Sequence, residues 1–141
     1  MNPLWKQLAH AYRQEEALYL QVLDLANRQE QAMEAEPCPA AVLGLCDKAE
    51  KLMAEIAVIE DALAGTKKQW EGLREDPEGE LRQVLTAIEC VIGQITAIQE
   101  SVQRRLLEQM QRHRQAMDDA RASINAGRAS RLYDPERGNV A

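Results

Sequence analysis

The sequence predicts an all-α fold, an antiparallel bundle of three long helices, and three observations carry that expectation. Gln, Glu, Ala, Leu and Arg are abundant among the 141 residues, aromatics make up 4%, and Phe is absent. Such a composition favours helix over sheet. Apolar residues recur over long stretches at alternating steps of three and four, the spacing of one helix face. Breakers are confined to a few places, chiefly Pro37-Cys-Pro39, Asp76-Pro77-Glu-Gly79 and Asn125-Ala-Gly127.

Each break has a physical meaning. The Pro37/Pro39 pair removes two backbone donors and biases the preceding residues away from the α region. Asp76-Pro77-Glu-Gly79 has turn chemistry, and Gly127 suits a left-handed helix stop. The resulting segments are about 3–35, 40–75 and 80–126, giving a helical bundle over residues 1–126 and a short irregular C-terminal tail over 127–141.

In the first segment Trp5, Leu8, Tyr12, Tyr19, Val22, Ala26 and Met33 form one seam. Leu4, Ala11, Leu18, Leu25 and Ala32 widen it, and a face that broad contacts two partners. The middle segment repeats most regularly, through Val42, Leu45, Ala49, Leu52, Ile56, Ile59, Leu63, Trp70 and Leu73, with Thr66 the one interruption. In the third, Leu81, Val84, Ile88, Val91, Ile95, Ile98 and Val102 continue the pattern. Four-residue steps from Ile98 through Val102 and Leu106 to Met110 then insert a stutter, which rotates the apolar face. Beyond it the stripe weakens to Met110, His113, Met117, Ala120 and Ile124.

At ~1.5 Å per residue the first two helices measure about 50 Å and the third about 70 Å. Short connections make the three run up, down and up. The third helix is therefore expected to run out of neighbours near residues 114–116 and to overhang with an uncovered apolar side.

The formal charge is -6 and the pI about 5.0, which argues against nucleic-acid binding through a basic field. No window is expected to reach the ~18 apolar residues of a membrane span, and "MNPLWKQLAH" lacks the layout of a signal peptide. A cytoplasmic protein without stable membrane insertion is the expectation. Cys38, Cys46 and Cys90 are irregularly spaced without a CxxC and read as small thiols in a reducing cell. Neither His10 nor His113 has a partner at ligand spacing, so no metal and no cofactor are expected.

Catalysis finds little footing. There is no Gly-rich phosphate loop, and Glu15-Glu16 and Asp118-Asp119 read as solvated carboxylates. The run 103–114 carries Arg104, Arg105, Arg112 and Arg114 against Glu108; a solvated face is favoured over a docking site for an acidic partner. Trp5 and Trp70 read as core or core-edge packing. Tyr133 differs. It follows the expected helix stop and precedes Asp134-Pro135, which suits a rigid aromatic anchor offered to another protein.

The opening "LAHAYRQEEALYLQVLDLANRQEQAM" and the closing "INAGRASRLYDPERG" resemble the first helix and the C-terminal tail of the FlgN-like flagellar export chaperones. The resemblance spans nearly the whole chain and is specific at the tail. It implies a non-enzymatic cytoplasmic protein that binds hook-filament junction (hook-associated) proteins before flagellar type III export. The C-terminal amphipathic helix would capture a helical C-terminal segment of the substrate, here along Met110, His113, Met117, Ala120 and Ile124. The tail match gives Leu132, Tyr133 and Gly138, with Tyr133 implied in docking to the cytoplasmic domain of the export gate. Asp134-Pro135 makes this tail stiffer than the family's polar link. The alternative is a coiled-coil adaptor or scaffold that self-associates, with a homodimer among the partners the sequence leaves open.

Overall fold

The computed structural model describes residues 3–34 and 38–132, with side chains through residue 130. Among the described residues there are three helices and no strand: α1 (Leu4–Ala32), α2 (Pro39–Leu73) and α3 (Glu80–Leu132). The chain divides into two compact units, residues 1–103 and 104–141. The first holds α1, α2 and the proximal part of α3.

Proline sets the starts of α1 and α2. Pro3 adopts an extended conformation (φ -60°, ψ 155°) ahead of α1, and its carbonyl accepts from the backbone N–H groups of Lys6 and Gln7, each at 3.1 Å. Pro39 occupies the first turn of α2, where its missing N–H costs nothing. Helix α2 ends on Arg74, a left-handed residue (φ 51°) whose N–H donates to the Trp70 carbonyl at 2.7 Å. The corner to α3 is then held by Asp76. Its Oδ1 accepts from the Leu81 N–H at 3.1 Å and its Oδ2 from the Arg82 N–H at 3.0 Å, which satisfies donors left free at a helix start. Gly79 takes φ 69°, a conformation glycine adopts without strain.

Contacts fix the directions. Gln29 donates to Cys46 Sγ at 3.2 Å, and Glu15 faces Glu60. Both pairs sum to 75, so α1 and α2 run antiparallel with one constant register. Val22 of α1 clusters with Val91 of α3, and 91 − 22 = 69; Leu8 and Tyr12 cluster with Leu81 and Val84. Those two helices are parallel, and the order is up, down, up.

One buried group joins Leu8, Ala9 and Tyr12 of α1, Leu63 of α2 and Leu81, Val84 and Ile88 of α3, flanked by Trp5, Tyr19, Ile59 and Trp70. A second joins Val22, Val91 and Ile95, flanked by Tyr19, Leu23 and Leu52. Full burial of such a side chain contributes roughly 1.5–3 kcal/mol. Both tryptophans sit at the core edge as expected, and Trp70 donates its indole N–H to the Glu75 carbonyl at 2.8 Å.

The structure corrects the sequence reading in four places. Helix α3 continues through Gly127 to Leu132 instead of stopping near 126. A lone glycine costs a helix only about 1 kcal/mol, and Ala126, Arg128 and Ala129 around it are helix formers. Burial along α3 ends at Val102, not near 114–116. The last residue of α1, Ala32, is level with residue 101 at the offset of 69 (32 + 69 = 101), and the corner at 74–79 consumes chain without lengthening the bundle. Glu15 is not solvated surface: it is 2% exposed. Finally, α3 is long and apolar enough by length and composition to cross a membrane; its residues Leu81, Val84, Ile88, Val91 and Ile95 are committed to the core.

Candidate functional site

The second unit presents the distal part of α3. Every residue from 110 to 130 is exposed, yet the segment is not uniformly polar. Met110, Met117 and Ile124 stand seven residues apart, at 64%, 45% and 58% exposure. His113 and Ala120, also exposed, fall between them at the alternating three–four spacing that keeps a set of residues on one helix face. Leu107, 52% exposed, extends the apolar surface by a turn. Its position one residue past Leu106 hides it in a sequence that is otherwise tracked by Leu106 and Met110.

The rest of the helix surface is polar and charged. Arg104, Arg112 and Arg114 are exposed and Arg105 is half-buried, while Gln115 donates to Asp119 Oδ1 at 2.9 Å across one turn. Such an apolar ridge, with Arg114 beside Met110 and Met117 at helical spacing, can accept the apolar side of a second helix. Methionine suits such a ridge because its unbranched, polarisable side chain adapts to differing surfaces. Of the proposed docking residues, Leu132 is the last residue of α3; its side chain, Tyr133 and Gly138 lie outside the described residues.

A second polar feature went unread in the sequence. Between Tyr12 and Tyr19 the α1 seam skips a turn, and Glu15 fills the gap, buried with its Oε1 lacking a hydrogen-bond partner. Burial, then a hydrogen bond and charge repulsion from Glu60, push its carboxyl up to about 8, against the pull of Lys67. Tyr12 and Tyr19 are raised by the same burial and by the neighbouring carboxylates. Lys67 is raised chiefly by Tyr12, against its own desolvation. The signal was the missing apolar residue in an otherwise regular seam.

No His, Cys, Asp and Glu grouping among the described residues could hold a metal ion. Cys38 and Cys90 are exposed free thiols, and Cys46 is half-buried beneath Gln29. No protein-family model matches the chain, and no curated protein or solved structure matches it.

Proposed function

We propose that this chain is a non-enzymatic, cytoplasmic chaperone that holds an amphipathic helical segment of a protein awaiting flagellar type III export. The clients are hook-associated proteins, bound through their C-terminal helical segments. The observation that carries this reading is the exposed apolar face of Met110, Met117 and Ile124 on a helix whose proximal part is buried in a core. Leu132, Tyr133 and Gly138 form the dock for the cytoplasmic domain of the export gate, a role that rests on the sequence resemblance alone.

The binding mode is helix against helix. Client side chains three and four residues apart seat on the methionines, and ordering the free client segment opposes association, which keeps the complex reversible. The test is co-expression with a flagellar hook-associated protein. Met117→Asp and Ile124→Asp abolish co-purification while the helical circular dichroism of the chain is unchanged, because both positions are exposed in the free protein. Normal co-purification of both variants would remove the proposal. Tyr133→Ala spares client capture and blocks export-gate binding; joint loss of the two activities contradicts separate sites.

The same seven-residue apolar spacing suits the self-associating scaffold. Sedimentation separates the two readings: a scaffold is an obligate oligomer, and Met117→Asp dissolves it with no client present.

A further inference from the structure

We infer that the outer groove between α1 and α2 is a docking site for a fourth helix, one that is amphipathic and carries acidic side chains along one edge. The groove lies within the first unit, has a volume of about 600 Å³, and is lined by Leu20, Gln21, Asp24, Leu25, Lys48, Lys51 and Leu52. This inference does not depend on the function proposed above, which uses the distal part of α3.

Three observations specify the occupant. The floor is leucine from both helices, and Leu20 remains 48% exposed, so apolar surface is left open where α1 and α2 already meet. The trough also stays open on the α2 side: its Leu52 is only half-buried, whereas Leu25 of α1 is buried. An up-down-up bundle of three becomes the common four-helix arrangement when one more rod fills such a trough. The charges then select its sign. Asp24, the one acidic lining residue, is paired with Arg28 at 3.1 Å. Lys48 and Lys51, one turn apart on α2, make no ion pair among the described residues. A helix with leucines at the trough and glutamates on the α2 side meets both cations, and an anionic border steers its approach.

The experiment measures fluorescence anisotropy of a labelled synthetic helix of about 18 residues, or five turns, with Leu at i, i+3, i+4 and i+7 and Glu along one edge. The control carries Lys in place of Glu. Full-length chain binds the acidic probe saturably, more weakly as salt rises, and ignores the basic control. The double variant Lys48→Glu/Lys51→Glu and the single variant Leu20→Asp each weaken binding about tenfold or more, whereas Met117→Asp leaves it intact. All four positions are exposed, so circular dichroism stays that of the parent chain. Equal binding of the two probes, or retention by the double lysine variant, overturns the inference. So does loss of binding in Met117→Asp, which assigns the probe to the distal helix. Closure of the groove by a second copy, seen as a dimer that Leu20→Asp dissociates, overturns it as well.

Discussion

Replacing Glu15 by Gln should stabilise this protein at alkaline pH and hardly at all at pH 5. Glu15 is buried with one oxygen unpartnered, and its carboxyl is pushed up to about 8 from an ordinary 4.5. The folded state therefore keeps this proton up to about pH 8, while the unfolded chain releases it above 4.5. Across that window the folded state binds more protons, so stability falls as pH rises. The span is about 3.5 pH units (8 − 4.5), and at about 1.36 kcal/mol per unit the ceiling is roughly 4–5 kcal/mol. Rearrangement around Glu60 and Lys67 makes about 1–3 kcal/mol the expected gain at pH 9. Glutamine keeps the shape and a donor for Glu60 but has no proton to lose. Urea denaturation followed by circular dichroism at pH 5, 7 and 9 measures the difference between parent and variant, in which the other carboxylates cancel. A difference of the same size at every pH, or a variant less stable than the parent at pH 9, refutes the reasoning.

Two corner residues give further tests. Asp76→Ala removes the acceptor of the Leu81 and Arg82 N–H groups and costs about 1 kcal/mol, read as a lower urea midpoint with an unchanged slope. Arg74→Gly relieves a left-handed non-glycine residue and raises stability by about 0.5–1 kcal/mol, read as a higher urea midpoint; a lower midpoint would show that the arginine side chain contributes more than its backbone costs.

The helix count, the breaks at Pro37–Pro39 and Asp76–Gly79, and the core stripe from Leu81 to Val102 were legible because periodicity and punctuation are local properties of a sequence. The end of burial on α3 was not. It depends on axial register, and the expectation near 114–116 treated connections as if they consumed no length, whereas the corner at 74–79 shifts α3 along the bundle axis. The helix stop at Gly127 failed for a related reason: one glycine is a weak signal when alanines and arginine surround it. Glu15 was misread because adjacent carboxylates were treated as a pair on a charged surface, although Glu16 is half-buried and Glu15 is deep in the interface. The distal face of Met110, Met117 and Ile124 was legible as a pattern, and its exposure followed from the unequal helix lengths; only the residue at which burial ends needed coordinates. The α1–α2 groove was invisible, since it joins Leu20 and Lys51 from helices whose register no single segment encodes.

The parallel pairing of α1 with α3 has a kinetic consequence. Gln29 and Cys46 meet across 17 positions of chain (46 − 29), but Val22 and Val91 meet across 69 (91 − 22). Closing the larger loop from an open chain costs about 1.2 kcal/mol more entropy. Zipping α1 to α2, or α2 to α3 where Leu63 and Leu81 share a core across 18 positions (81 − 63), shortens that search, so either helical hairpin lowers the entropy cost of the parallel seam.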